Sequence, residues 1–270
     1  MKLFITGASG FIGGAVAASM ARAGHQVRGL IRNPDRADEL RRFGIEPVLG
    51  TLDDAALLKA EAQAADAVIN AASSDHRGAV EALLDGLAGS GKAFIHTSGS
   101  SLVSDDALGE PGDAVFDETT PVEPVPGKVA RIAINDLILG AAPGVRSVVL
   151  CHSLIYGSTD APRAQSVQIP PLVAQARESG IARHVGRGLN RWSNVHIADV
   201  AELYHLALAQ APAGSFYFVE NGETAFVDLV GAIAQALKLG PAQAWDPVQA
   251  VAYWGQDLGA YALGLSLIHI

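Results

Sequence analysis

Three glycines at a spacing of three, Gly7, Gly10 and Gly13, are the residues of this 270-residue chain whose type and spacing most directly specify chemistry. They follow the apolar run Leu3, Phe4, Ile5. They precede an apolar pattern of helical spacing that runs from Phe11 to Ala23 and ends at Gly24. Strand, glycine turn and helix N-terminus in that order make a dinucleotide site. One glycine leaves the turn unhindered, another lets backbone approach a pyrophosphate, and Gly13 lets the helix pack close to the sheet. Amide groups from Ser9 through Phe11, Ile12 and Gly13 then hold the phosphates at the positive end of the helix dipole. The competing reading is a tight turn that binds nothing.

Arg32 stands 19 positions beyond Gly13, close to where an acid would bind the ribose 2′-hydroxyl of NAD. A cation there, with Asn33 and Arg36 beside it, suits a 2′-phosphate and favours NADP over NAD. The competing reading is a solvated arginine at a helix start. Thr97-Ser98-Gly99-Ser100-Ser101 is a polar cluster at a strand end, where doubly wound sheets place ligands. Ser98 and Ser100 could hydrogen-bond a substrate carbonyl or simply cap the strand. His152 follows the sixth expected strand and is the best proton donor by position, against a packing role. Tyr156, Arg191 and Trp192, with Arg187, are candidates for the substrate side. No serine has a visible activating base, which disfavours nucleophilic hydrolysis. His184 and His205 lack ligand spacing, so no metal site is expected.

The elements that must position these groups alternate. Strands are expected at Leu3–Ile5, Val27–Ile31, Pro47–Gly50, Ala67–Ala72, Ala93–Ser98 and Val145–Leu150. Thr51-Leu52-Asp53-Asp54 starts the helix after the third strand, and the small residues Ala71 and Ala72 allow close approach of a cofactor. Helices between strands specify an α/β fold, a Rossmann-type doubly wound parallel sheet with right-handed crossovers. Regularity stops from Gly99 to Gly127, a loop with seven acids and no basic residue before Lys128, expected to be a lid or binding loop with solvated acids. The expected domains are 1–157 for the dinucleotide and an intertwined substrate lobe at 158–264. The end, 265–270, reads as a non-native tail after a truncation.

Apolar residues make up 49% and charged residues 17%, enough for a sizeable core. A net charge of −9 without a Lys/Arg cluster argues against nucleic acid and anionic membranes. No apolar run is long enough to span a bilayer. One cysteine, Cys151, excludes an internal disulfide and fits a reducing cytoplasm. The expected partners are a small-molecule substrate and, for assembly, a second copy of the chain as a homodimer.

Thr6-Gly7-x-x-Gly10-x-x-Gly13, Asn70-Ala71-Ala72, the Thr97-Ser98 strand end and Asp117-Glu118-x-x-Pro121-x-x-Pro124 come in that order. Leu154-Ile155-Tyr156-Gly157 and Asn194-Val195-His196-Ile197-x-Asp199-Val200 follow. Together they resemble the extended short-chain dehydrogenase/reductase superfamily, of the NAD-dependent epimerase/dehydratase type, over residues 1 to about 240. The resemblance implies a nicotinamide cofactor, NADP or NAD. Its contacts are expected at Gly7, Ser9, Gly10, Phe11, Ile12, Gly13, Arg32, Leu52, Ala71, Ala72, Thr97 and Arg131.

It also implies Tyr-x-x-x-Lys, and here the chain departs. Four residues after Tyr156, Tyr204, Tyr217, Tyr253 and Tyr261 stand Asp160, Leu208, Asn221, Asp257 and Leu265. Alignment on Pro121-x-x-Pro124 puts Gly127 at the tyrosine position and Arg131 at the lysine position. The chain looks like an atypical branch in which His-x-x-x-Arg replaces the usual pair, with the histidine missing. Arg131 could bind the cofactor ribose or a substrate oxyanion, but it is too basic to shuttle protons. Lys128 could reach into the vacant position. The leading expectation is an NADP-preferring oxidoreductase or epimerase acting on a small polar carbonyl or alcohol, a sugar derivative among them. The alternative is a catalytically silent nucleotide-sensing protein.

Overall fold

A computed structural model of the chain describes residues 1–104, 108–123 and 126–263, with side chains through residue 255. Asp105, Asp106, Pro124 and the expected tail at 265–270 lie outside the described residues.

Seven parallel strands form the main sheet. They are β1 (Lys2–Thr6), β2 (Gln26–Ile31), β3 (Ile45–Leu49), β4 (Ala67–Asn70), β5 (Ala93–Gly99), β6 (Arg146–His152) and β10 (Ser215–Val219). Their order is β10-β6-β5-β4-β1-β2-β3. The chain builds outward from β1 to β3, then returns to the other side of β1 with β4, so the strand order reverses between β1 and β4. Crevices at such a reversal receive the ligand in doubly wound sheets.

Both faces are covered, which is why β1 and β4 read as unbroken apolar runs. Leu3 and Ile5 face α1 (Phe11–Arg22) and α7 (Ile197–Gln210), in a core that includes Val16, Met20, Val200 and Tyr204. Phe4 faces the other way, into a core with Leu58 of α3 (Ala55–Ala64), Leu83 of α4 (Arg77–Leu87) and Ile138 of α5 (Val129–Leu139). After β2 the chain makes a 3-10 turn, Pro34–Arg36, before the short α2 (Ala37–Arg42).

The remainder gathers into a lobe. It contains β7 (Leu154–Tyr156), β9 (Arg191–His196) and β11 (Glu223–Ala225) as one small sheet, and β8 (Arg183–Val185) with β12 (Gln243–Trp245) as another. Helices α6 (Ile169–Ser179), α8 (Phe226–Ala236) and α9 (Pro247–Leu263) pack on these, α9 breaking from helical geometry at Gly255. Trp192 on Phe226, ring centroids 4.8 Å apart, lies in the lobe's own apolar centre with Leu172 and Val230. Lobe and main sheet interleave along the chain: α7 packs on α1, and β10 joins the main sheet beside β6.

The acidic loop straps the two parts together. Gly109 accepts a hydrogen bond from Leu189 at 2.8 Å, and Glu118 accepts one from the Phe218 amide at 2.9 Å. Phe116 and Val122 pack against Leu102, Val103 and Phe218. The described acids of the strap are exposed, as expected, while Glu118 also accepts from the Phe218 amide and Glu110 pairs with the exposed Arg187.

One buried hydroxyl locks α7 to the ends of two strands. Tyr204, fully buried, shares its oxygen with Thr97 Oγ1 at 2.5 Å and His152 Nε2 at 2.9 Å. Tyr204→Phe is expected to cost about 1–3 kcal/mol by leaving two buried polar partners without their shared atom. Urea denaturation measures the loss, and an unchanged midpoint would count against the network.

Candidate functional site

The glycine turn sits at the reversal between β1 and β4. Gly7 adopts φ 73°, and a Cβ there would come 2.5 Å from the Ala71 carbonyl oxygen and 2.9 Å from Ala72 Cα. A Cβ on Gly13 would lie 2.4 Å from the Gly7 carbonyl oxygen. Both positions therefore exclude any side chain: backbone packs directly on backbone. Gly10 differs. Its amide donates to Gly7 at 2.8 Å, its φ is −87°, and the nearest atom to an added Cβ is the Gly7 oxygen at 3.1 Å. No side chain caps α1, and its first turn carries no acid. The helix N-terminus has no anion of its own, so the residues fit the diphosphate of a nicotinamide dinucleotide, with the amides of Phe11, Ile12 and Gly13 as donors.

Ala71 and Ala72 form the facing wall just past β4. Arg32 is exposed one residue beyond β2. Arg36 is engaged: it donates to Glu39 at 2.7 Å, to the Ser9 carbonyl at 3.1 Å and to the Pro162 carbonyl at 3.2 Å. Leu52 is half-buried against the core on the α3 and α4 side.

Beside the turn runs a buried polar chain across three strand ends. Thr6 donates to Asn70 Oδ1 at 2.6 Å and accepts from the Ala71 amide at 3.2 Å. The Asn70 amide nitrogen lies 3.0 Å from His96 Nδ1. Burial, then the nearby Arg131 charge, lower the His96 pKa to about 4, so the ring is neutral. If Asn70 donates, Nδ1 is the acceptor and the ring proton is on Nε2.

Over this chain lies Arg131, held on two sides. Its Nε and Nη2 donate to both Asp75 oxygens, at 2.7 and 2.5 Å, and its Nη1 to Ser101 at 2.8 Å. The Arg131 hydrogen bond holds the Asp75 carboxyl below the ordinary range. Arg131 Nη1 would be 3.3 Å from a Cβ on Gly99, so it crosses directly over the end of β5. A bidentate guanidinium fixed at this edge can stabilise negative charge developing on an oxygen. Neither Asp75 nor Ser101 stands out in the sequence as a partner of Arg131. One is an acid in the turn after β4 and the other the last serine of a polar cluster.

Other expected groups are brought elsewhere. Ser98 is buried and accepts from Asn135 Nδ2 at 3.2 Å, and Ser100 is buried too. Thr97 faces α7 through Tyr204. His152 is 4% exposed, stacks on Tyr204 at 5.6 Å, and is driven by burial to a pKa of about 3. A neutral ring sealed into the interior does not exchange protons with a ligand at the edge, so its place is the packing one. Lys128 ends the 3-10 turn before α5, half-buried, while an added Cβ on Gly127 would meet nothing within 4 Å. The position four before Arg131 is thus open space.

The basic–aromatic group is dispersed. Trp192 is core, Arg191 pairs with Glu223 at 2.6 Å, and Arg187 with Glu110 at 3.0 Å. Alternation along β9 explains it: Trp192 points into the lobe, so Arg191 cannot share its face. Tyr156 is exposed and meets His196 edge-on at 5.3 Å. A cavity of about 500 Å³ is lined by Arg163 to Val167 with Pro170 and Pro171. Among the described residues no group of three potential ligands could hold a metal, and no helix is long and apolar enough to cross a membrane.

Two outcomes test this geometry. Gly10→Asp puts a carboxylate at the helix N-terminus, where an added Cβ meets only the Gly7 oxygen at 3.1 Å, a milder contact than at Gly13. It is expected to abolish dinucleotide binding, read by NADPH fluorescence, with a smaller drop in melting temperature than Gly13→Ala. The second outcome concerns pH. His96 and His152 have native pKa values of about 4 and about 3 against 6.5 unfolded, so below pH 6.5 the unfolded chain binds more protons. Stability therefore falls as pH drops from 6.5 toward 4, each histidine contributing up to about 1.4 kcal/mol per pH unit. His152→Gln should flatten the slope of urea midpoints between pH 7.5 and 5; an unchanged slope would refute the assignment.

Residues 3–219 match the family model described as the NAD dependent epimerase/dehydratase family. An oxidase of an Acremonium species, ucsJ, is 32% identical over 274 residues, covering 86% of this chain and 78% of that protein. A 4-hydroxy-2-methyl-3-oxo-4-farnesyl-3,4-dihydroquinoline-1-oxide ketoreductase of Stigmatella aurantiaca is 30% identical, over 82% of this chain and 69% of that protein. Among solved structures, dTDP-glucose 4,6-dehydratase of Bacillus anthracis in complex with NAD superposes with a TM-score of 0.76 at 20% identity, over 91% of this chain and 84% of that one. A diphosphate corner at the sheet's reversal and a family match spanning that sheet lead to one statement: the chain belongs to the NAD-dependent epimerase/dehydratase family, whose cofactor is a nicotinamide dinucleotide.

Proposed function

We propose that the chain is an NADP-preferring oxidoreductase, an atypical member of its family, that acts on a small polar carbonyl or alcohol. The observation that carries this reading is Arg131, clamped by Asp75 and Ser101 at the end of β5 on the same sheet edge as the glycine turn. A guanidinium held by two partners needs no reorganisation when charge develops on a carbonyl oxygen. The bound dinucleotide supplies the hydride chemistry. The chain's part is to hold the diphosphate at Gly10–Gly13, orient the carbonyl oxygen toward Arg131, and admit the proton from the open side at Gly127, where Lys128 is the neighbouring donor. The similarity to a ketoreductase supports a carbonyl as the reacting group.

Arg32 supports NADP, because it is an exposed cation just past β2. A fully buried Cys151, its thiol pushed up to about 12 mainly by burial, is shielded from oxidants and fits a cytoplasmic setting. Assembly as a homodimer belongs to the same proposal, and light scattering checks it.

The second reading, a silent nucleotide sensor, is favoured by the interior placement of Ser98 and His152. Cofactor titration by fluorescence, run beside NADPH oxidation over ketones, aldehydes and sugars, separates the two. Tight binding without turnover on any of them would establish the sensor. Arg131→Ala is expected to spare cofactor affinity and lower turnover by about 10²-fold, as loss of one oxyanion donor does. Arg32→Ala should weaken NADPH by about 10-fold or more while sparing NADH, the size of a charged hydrogen bond. Equal losses for both cofactors would remove the 2′-phosphate assignment.

A further inference from the structure

The segment from Gly157 to Gln168, between β7 and α6, belongs to the lobe by sequence but lies against the dinucleotide corner. It folds back on itself: Ser158 bridges Gln165, and the Thr159 amide donates to the Ala164 carbonyl at 3.1 Å. Its tip is pinned to the main domain at separate points. Arg22 of α1 donates to the Asp160 carbonyl at 3.3 Å. Ala161 joins the core beneath, and buried Pro162 presents its Cδ 3.4 Å from where a Cβ on Gly14 would stand. The last tie is Arg36, whose guanidinium reaches the Ser9 carbonyl in the glycine turn with one nitrogen and the Pro162 carbonyl with another. Glu39 holds the third nitrogen at 2.7 Å and so fixes the plane of the fork.

Beyond Pro162 the same hairpin strand, Arg163 to Ser166, forms a wall of the 500 Å³ cavity. A single side chain thus joins the turn that would hold the diphosphate to the segment that forms the cavity wall. We infer that Arg36 is a positioning residue: it sets the 157–168 hairpin over the glycine turn and so fixes the cavity wall relative to the cofactor corner. The role of that corner rests on the cofactor reading above, whereas the tie itself does not. Arg36 is distinguished from Arg32 by what it touches. Three of its nitrogens are committed to protein oxygens, while Arg32 stands exposed past the strand, so reading a 2′-phosphate falls to Arg32 and holding the hairpin to Arg36.

The hairpin carries its own reporter, since Arg163 and Ala164 are both exposed and trypsin can cut between them once the tip lifts. In the chain without cofactor, Arg36→Met is expected to raise the rate of that cut by about 10²-fold or more, the effect of losing two hydrogen bonds from a charged donor, with other tryptic sites unchanged. Arg36→Lys, which keeps the charge and fewer donors, should fall between. If Arg36→Met lowers the melting temperature of the whole chain, the Lys variant is read alone and must still cut faster than the parent. In fluorescence titrations Arg36→Met should weaken NADPH and NADH by the same factor, unlike Arg32→Ala. An unchanged cutting rate overturns the inference, as does a loss confined to NADPH, which would make Arg36 a phosphate reader. Should the parent chain bind neither dinucleotide, the cofactor reading fails while the cutting rates still decide the tie.

Discussion

At the sheet's edge backbone packs directly on backbone: the Gly7 carbonyl against Gly13, and Gly7 itself against Ala71 and Ala72. Everything at the sheet's edge depends on it. With a Cβ at either glycine, α1 would have to move away from β1, and the amides at its start would no longer open onto the crevice between β1 and β4. That crevice exists because the strand order reverses there, and the reversal in turn requires β1 to be covered on both faces. The apolar alternation of Leu3, Phe4 and Ile5 is what satisfies the two cores at once.

The second determinant is parity along β5. Phe94, His96 and Ser98 face α4 and α5; Ala93, Ile95 and Thr97 face α1 and α7. A cluster of adjacent polar residues is therefore split between two opposite interiors. Thr97 is consumed by Tyr204 and His152 on one side, Ser98 by Asn135 on the other. Polar groups regain the edge only where the strand ends, at Gly99, and there Ser101 meets Arg131. The polar chain of Thr6, Asn70 and His96 serves a related end. It satisfies buried groups across three strands, so that the charged pair above stands on a neutral, fixed floor.

How much of this is legible in the sequence follows from the range of each interaction. The glycine turn, the order of strands and helices and the parallel sheet are written in local spacing, and the structure has them at nearly the same residues. The reach of Arg131 to Asp75 spans 56 positions and joins a turn after β4 to the first turn of α5. No local pattern encodes it, although an acid following a strand that ends in small residues is a place to look. The seventh strand, Ser215–Val219, reads as a strand but its membership of the main sheet does not, because it pairs with β6 across the whole of the lobe's first half. Trp192 and Arg191 look like a joint surface in sequence. Strand alternation separates them, and the stronger apolar demand of the tryptophan sends it inward to Phe226.

The chain leaves the main sheet for the lobe after β6, returns to it with α7 and β10, and leaves it again, so the lobe is interleaved with the sheet, and its ties to the glycine turn are polar. Two polar ties to the main domain come from arginines, Arg22 and Arg36, which reach carbonyls of the hairpin tip. Guanidinium-to-carbonyl ties of this sort are directional, so they fix the orientation of the hairpin without joining either core. Apolar contacts tie the lobe to the main core at Ile155 of β7 and Val195 of β9 as well as at Ala161 on the hairpin's tip. The 157–168 hairpin is therefore set on the main domain through polar ties and a small apolar contact at its tip, while the two hydrophobic centres that define the parts pack separately.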